Sequence, residues 1–180
     1  MREDMKTVIA DTFTHMLETE DLDKITVKSL IEKCQISRQT FYYHFHDIMD
    51  VLDWAFKQAT QELTERSLNV ENQMDAVSFF VSFVTENRRK FVRLLYSRKW
   101  VQIEGMLVES AMMYLDALMR TKAPDLAISY DDREVLLRFY AGGMVSVLLQ
   151  YAGINHVNEE KLIFQIQKII TGKLSPDRLT

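Results

Sequence analysis

Apolar side chains recur along most of this chain at intervals of three and four residues, and that spacing is typical of amphipathic α-helices. The first such stripe lies within residues 2–19, and a longer one lies within residues 48–67. With 5 glycines and 2 prolines in 180 residues, the sequence has few of the residues that separate short strands. We therefore predict an all-α fold of about nine helices, with no strand and no internal repeat.

Residues 25–45 predict two short helices joined by a tight corner. Thr26 and Ser37 are both suited to cap a helix, because a hydroxyl can accept a hydrogen bond from a free amide of the first turn. In the second helix, Phe41 and Phe45 are four residues apart and share one face. We expect that face to be buried and the polar side to be exposed, as in the recognition helix of a helix-turn-helix motif.

The polar side of the second helix carries groups that can bind DNA. Arg38 can donate two parallel hydrogen bonds to guanine, and Gln39 can pair in the same way with adenine. Thr26 and Lys28 stand at the start of the preceding helix, where the free amides attract phosphate. The alternative is the exposed polar face of a packing helix and a lysine that is merely solvated. The predicted DNA-binding residues are Thr26, Lys28, Ser37, Arg38, Gln39, Thr40, Tyr42, Tyr43 and His44.

The same segment resembles the N-terminal domain of TetR-type transcriptional regulators over roughly the first third of the chain. The residues that carry the resemblance are Thr26, Ile31, Ile36-Ser37, Thr40-Phe41-Tyr42, His44-Phe45 and Asp47. The resemblance implies a helix-turn-helix unit followed by a helical body. It also implies that Tyr42 and His44 contact the DNA backbone, and that repression is the commoner behaviour, with activation as the other.

Three positions depart from the family pattern. Gln35 stands where the corner usually has glycine, so it must hold a left-handed backbone or reshape the corner. Gln39 replaces a common glycine and should stiffen the recognition helix. Ile48 stands where a phosphate-binding lysine is common, so one backbone contact should be missing.

We divide the chain into a helix-turn-helix DNA-binding domain, residues 1–47, and a helical effector-binding and dimerisation domain, residues 48–180. The helix of residues 48–67 connects the two and is the natural lever between them. Residues 86–90 predict a polar turn. Further helices are predicted at residues 74–85, 91–97 and 100–120, from a cap at Ser129 or Asp131 to residue 151, and from a cap at Asn158 to a stop at Gly172.

Aromatic and methionine side chains are frequent in the second domain, and such side chains can line a pocket for an apolar ligand. The alternative is ordinary core packing. Arginines 88, 89, 93 and 98 lie nearby in sequence, so an anionic effector is one option and solvated surface charge is the other. The predicted effector-pocket residues are Phe79, Phe83, Tyr96, Trp100, Tyr114, Phe139 and Tyr140.

The last two long helices are the predicted homodimer interface. Gly142-Gly143 in mid-helix costs roughly 1–2 kcal/mol relative to alanines, and close helix approach across a two-fold axis would offset that cost. Segment 139–153 also resembles the penultimate helix of a TetR-type subgroup that includes regulators of dihydroxyacetone kinase operons. A dimer suits DNA, because two recognition helices must reach successive major grooves about 34 Å apart.

The net charge is −4, but the segment from Lys24 to His46 carries four positive charges and one negative charge. A basic patch on an acidic body favours a sequence-specific DNA binder over a protein that coats DNA. The single cysteine, Cys34, lies on an apolar face and is interpreted as a small core residue. We find no phosphate-binding glycine loop, cysteine cluster or nucleophile motif, and predict no catalytic, metal or cofactor site. The N-terminus is charged and no apolar segment follows it, and no run reaches the roughly 18 apolar residues of a membrane span. Both features favour a cytoplasmic protein.

The leading hypothesis is therefore a homodimeric DNA-binding transcriptional regulator, controlled by a small-molecule effector. The alternative is a helical co-regulator or protein-interaction subunit that has lost specific DNA binding. The acidic net charge and the departures at Gln35, Gln39 and Ile48 motivate that alternative.

Overall fold

The computed structural model describes residues 4–70, 73–153, 158–171 and 173. Within those ranges the chain is all-α, which confirms the predicted fold class. A short 3₁₀ turn at Leu22–Lys24 precedes the second helix. The described helices are α1 (Met5–Met16), α2 (Val27–Cys34), α3 (Arg38–His44), α4 (Ile48–Leu68), α5 (Gln73–Glu86), α6 (Arg88–Leu95), α7 (Trp100–Lys122), α8 (Tyr130–Ala152) and α9 (Glu159–Ile170).

The caps predicted for the helix-turn-helix are confirmed. The Thr26 hydroxyl accepts a hydrogen bond from the Ser29 amide at 3.0 Å, and the Ser29 hydroxyl accepts one from the Thr26 amide at 3.0 Å. The Ser37 hydroxyl accepts from the Thr40 amide at 3.0 Å and so starts α3. Each bond satisfies an amide that has no partner inside the helix, which fixes where α2 and α3 begin.

Gln35 makes the corner between α2 and α3 in the left-handed conformation, with φ of 54°. The corner therefore keeps the shape that glycine usually provides, at a cost of roughly 1–2 kcal/mol for a residue with a Cβ atom. The next amide, that of Ile36, donates to the Ile31 carbonyl at 3.1 Å and closes the turn. The departure from glycine changes the energy of the corner and leaves its geometry intact.

The first three helices close around a core that includes Ile9, Phe13, Leu30, Phe41 and Phe45, each at most 1% exposed. This core continues along α4 into the body of the molecule. Helix α4 packs against α1 at its beginning and against α7 further along. It therefore contacts both the helix-turn-helix unit and the helices that follow it.

Several predicted boundaries differ from the structure. Helix α1 ends at Met16, and residues 17–19 form turns instead of helix. The predicted polar turn at residues 86–90 is wrong, because α5 continues to Glu86 and α6 begins at Arg88. Asn87 alone separates the two helices, and its side-chain amide donates to the Phe83 carbonyl at 2.9 Å. The polar and charged residues at 86–90 are therefore mostly helical, and only Asn87 interrupts the two helices.

The structure shows which residues cap the last two helices and decides between Ser129 and Asp131 for α8. Ser129 caps α8, since its hydroxyl accepts from the Asp132 amide at 3.1 Å. Asn158 caps α9 by accepting from the Lys161 amide at 2.9 Å. The predicted stop at Gly172 lies outside the described residues.

Helix α8 is long and apolar enough to cross a membrane by length and composition alone. In this fold it packs against α5, α6 and α7 and buries seven side chains, from Leu137 to Ala152. Burial of one face in a core accounts for much of that apolar composition, so this single helix is weak evidence for a membrane span.

Candidate nucleic-acid interface and ligand cavity

Helix α3 separates its side chains as the sequence pattern predicts. Phe41 and Phe45 are 0% and 1% exposed, and their ring centroids lie 6.2 Å apart. Arg38 and Gln39 are exposed and make no hydrogen bond or ion pair with any described residue. The buried phenylalanines thus fix α3 so that the hydrogen-bond donors on its opposite side face solvent.

The two tyrosines of α3 are exposed to different degrees. Tyr42 is 53% exposed and packs edge-on against Phe41 at 5.4 Å, whereas Tyr43 is 84% exposed. His44 is half-buried and its ring meets Tyr43 edge-on at 4.9 Å. Both phenol groups therefore extend from a helix whose position is set by the buried phenylalanines.

The remaining predicted contacts surround the same helix. Thr26 and Lys28 are exposed at the start of α2, and Lys28 is held only loosely by Glu32, at 4.0 Å. The Ser37 and Thr40 hydroxyls lie 2.8 Å apart, so both already take part in the cap of α3. Ser37 therefore positions the helix, and Arg38, Gln39, Tyr42 and Tyr43 supply its free polar groups.

An interdomain polar cluster, which sequence reasoning missed, joins the loop before α2 to the end of α6. Asp21 accepts a hydrogen bond from the Arg93 guanidinium at 2.8 Å. Asp23 accepts from the Ser97 hydroxyl at 2.7 Å and from the Arg98 amide at 3.0 Å. These bonds fix the helix-turn-helix unit to the body at a second place besides α4.

The electrostatics of the cluster agree with its geometry. The hydrogen bond and charge of Lys24, followed by the charge of Arg93, lower the pKa of Asp21 below its ordinary value. Hydrogen bonds from the Arg98 amide and then from the Ser97 hydroxyl lower the pKa of Asp23. Both carboxylates are therefore ionised at neutral pH and act only as acceptors.

A cavity of about 50 Å³ lies between α4, α5, α6, α7 and α8. Its walls are apolar and aromatic, and they include Phe56, Phe80, Phe83 and Leu148. The Tyr114 ring stacks on Phe80 with centroids 5.4 Å apart. An apolar cavity with few polar groups is the usual form of a small-molecule site.

Only part of the predicted effector pocket lies in this cavity. Of the predicted residues, Phe83 and Tyr114 line it. Tyr96 and Phe139 are 83% and 72% exposed, and neither lines this cavity. The others also lie elsewhere: Phe79 is under the Arg66 guanidinium, Trp100 packs on the core at the start of α7, and Tyr140 lines a groove between α8 and α9.

The arginines that suggested an anionic effector do not line the cavity either. Arg88 donates to the Ala152 carbonyl at 2.7 Å, and Arg93 is committed to Asp21. Arg89 and Arg98 are exposed. The walls therefore offer no positive charge to an anion.

A groove between α8 and α9 exposes apolar side chains on the surface of the molecule. Phe139 of α8 and Phe164 of α9 are 72% and 56% exposed. Gly143 lines the groove, and a Cβ atom built on Gly142 or Gly143 would have nothing within 4 Å. Neither glycine is needed for packing within one protomer.

Comparison with known proteins finds similar chains among transcriptional regulators. No protein-family model matches the chain. Among curated proteins it is similar to the HTH-type dhaKLM operon transcriptional activator DhaS of Lactococcus lactis subsp. lactis (strain IL1403). The two are 24% identical over 169 residues, which cover 93% of this chain and 89% of that protein.

Two solved structures have a similar fold. The dihydroxyacetone kinase operon activator DhaS has a TM-score of 0.68 and 20% identity, covering 93% of this chain and 94% of its own. The TetR family repressor AlkX from Dietzia sp. strain DQ12-45-1b has a TM-score of 0.62 and 16% identity, covering 92% and 95%. The likeness therefore extends over both the helix-turn-helix and the body. The resemblance predicted from the first third of the sequence is confirmed, and the chain has the fold of TetR-type transcriptional regulators.

Proposed function

We propose that the chain is a homodimeric, sequence-specific DNA-binding transcriptional regulator whose operator affinity is controlled by a small-molecule effector. The observation that carries this proposal is the division of α3. Phe41 and Phe45 are buried, while Arg38 and Gln39 are exposed and have no partner among the described residues. A guanidinium and an amide at the start of an anchored helix are suited to base edges in a major groove.

The effector would act through α4. This helix begins beside α3 at Ile48 and lines the cavity with Phe56 further along. Phe56, Phe83 and Phe91 line the cavity on one side and the cleft between α1 and the body on the other. A ligand that favours one tilt of α4 therefore shifts the population towards one separation of the two recognition helices. Either repression or activation can follow from that shift.

DNA binding by Arg38→Ala is the direct test of the proposed function. We expect its affinity for the DNA upstream of its own gene to fall roughly 5- to 150-fold, the effect of one lost bidentate base contact. The matched control is Arg89→Ala, which removes an exposed arginine from α6 and should leave affinity unchanged. Fluorescence anisotropy with labelled DNA measures both. Equal affinity of wild type and Arg38→Ala, with both folded, would refute the role of α3.

The same assay distinguishes the alternative, a helical co-regulator without specific DNA binding. Ile48 is the observation in its favour, because it is 8% exposed and packs into the core where the family resemblance leads one to expect a phosphate-binding lysine. A specific complex that weakens steeply as salt rises supports the regulator, since salt competes with phosphate contacts. A chain with no salt-sensitive specific complex would support the co-regulator.

The dimer would form through α8 and α9. Their exposed apolar groove is the kind of surface that a partner covers, and Gly143 leaves room for close approach. A two-fold interface formed by the same groove on each protomer also satisfies the symmetry of a palindromic operator.

Gly143→Leu should weaken the dimer while leaving the protomer folded. Within one protomer a Cβ atom at Gly143 has nothing within 4 Å, and replacing a helical glycine favours the helix by about 1 kcal/mol. In the dimer it should block close approach and raise the dissociation constant at least about tenfold, the equivalent of 1.4 kcal/mol. Sedimentation over a concentration series measures the constant. Gly105→Leu, at a glycine of α7 that also faces open space, is the matched control and should not affect association.

A further inference from the structure

The cavity excludes charged ligands by the composition of its walls. Among the residues that the structure describes, none that lines the cavity carries an ionisable group other than the Tyr114 phenol. A carboxylate or ammonium group placed there would lose its hydration without gaining a counter-ion, and that desolvation is strongly unfavourable. An uncharged ligand faces no such cost.

The hydroxyl groups that line the cavity differ in whether they are free to form a hydrogen bond with a ligand. The Tyr114 hydroxyl donates to the Ala76 carbonyl at 2.8 Å and lies 2.8 Å from the Ser67 hydroxyl. The Tyr114 hydroxyl is therefore already occupied by partners within the protein. Thr60 on α4 and Ser110 on α7 are half-buried, line the cavity, and their hydroxyls make no hydrogen bond with any described residue. Each can donate to or accept from a ligand.

The volume limits the size of what binds without opening the helices. A cavity of about 50 Å³ is a third of the roughly 150 Å³ that holds benzene in a protein interior, so a ligand of more than a few heavy atoms must part the helices. We propose that the effector is an uncharged molecule, apolar except for one hydroxyl or carbonyl group, which binds by widening the cavity and forms a hydrogen bond with Thr60 or Ser110. This inference rests on the proposed function only in calling the ligand an effector.

The test compares three probes that share one carbon skeleton: 1-pentanol, pentanoate and pentylammonium, each titrated into the full-length protein at pH 7. We expect 1-pentanol to bind at least tenfold more tightly than either ion by isothermal titration calorimetry. Tighter or equal binding of either ion, or no binding of 1-pentanol, would overturn the proposal.

Two variants locate the hydroxyl contact. Ser110→Ala and Thr60→Val keep the shape of the cavity and remove one hydroxyl each. At least one of them should weaken 1-pentanol binding about three- to tenfold, the value of one hydrogen bond. Ser82→Ala, at a half-buried serine of α5 outside the cavity, is the control and should bind as wild type does. Unchanged affinity in both cavity variants would contradict the assignment.

Because calorimetry requires no DNA, the two proposals fail separately. Loss of pentanol binding with intact operator binding would refute the ligand class and leave the regulator standing. Specific pentanol binding by a chain that binds no operator would refute the proposed function and leave the ligand class standing.

Discussion

Phe41→Ala is expected to destabilise the helix-turn-helix by about 3–5 kcal/mol, the cost of truncating a fully buried phenylalanine. Phe41 is 0% exposed and its ring contacts those of Phe45 and Tyr42. It joins the short helix α3, only seven residues long, to the core of α1 and α2. So short a helix has little stability of its own, because few hydrogen bonds offset its nucleation. Operator binding should therefore be lost together with the fold of this unit.

Urea unfolding followed by circular dichroism measures the free energy, and hydrogen exchange shows whether the loss is concentrated in α1–α3. Tyr42→Ala is the matched control, since it removes the adjacent ring, which is 53% exposed. That variant should lose less than about 1 kcal/mol of stability, as expected of a surface substitution, while its DNA affinity falls. A Phe41→Ala protein of wild-type stability would show that α3 is not held by its buried face.

The helix-turn-helix could be predicted from sequence because its determinants are local. Thr26, Ser37 and Asp47 each cap a helix through a hydrogen bond to an amide two or three residues on. The spacing of Phe41 and Phe45 alone sets which side of α3 is buried. Nothing in this segment requires knowledge of distant contacts, so the pattern and the structure agree.

The cavity could not be predicted in the same way. Tyr96, Tyr114 and Phe139 are all aromatic residues of the body, yet Tyr114 is 1% exposed and the other two are 83% and 72% exposed. Which of them faces the interior depends on how α5, α7 and α8 cross, and that information is not present in any single helix. Composition indicated an aromatic site but could not assign its walls.

No feature of the local sequence predicts the interdomain polar cluster. Asp21 and Asp23 lie in a short polar loop, where carboxylates ordinarily indicate only solvent exposure. Their partners Arg93 and Ser97 stand more than seventy residues further along the chain. The two carboxylates attach the loop to the body because α6 packs beside that loop in the folded chain, and the loop sequence alone does not indicate this.

Tyr114→Phe is expected to destabilise the body by about 1–3 kcal/mol, because it leaves buried polar groups without their partner. Ser67 is 0% exposed and lies 2.8 Å from the Tyr114 hydroxyl, which also donates to the Ala76 carbonyl. The ring and its stacking on Phe80 are unchanged, so the loss reports on the hydroxyl alone. Tyr96→Phe, at an 83% exposed tyrosine, should leave the free energy of unfolding unchanged.

The alkaline pH dependence provides a second measure of the same group. Burial raises the pKa of Tyr114 to about 12, against about 10 in the unfolded chain. Above pH 10 the unfolded state loses this proton while the folded state keeps it, so wild-type stability falls as pH rises. Tyr114→Phe lacks that contribution. The stability difference between wild type and variant should therefore narrow by about 1 kcal/mol between pH 9 and pH 11. A difference that stays constant over that range would mean that the Tyr114 hydroxyl titrates as a solvent-exposed phenol.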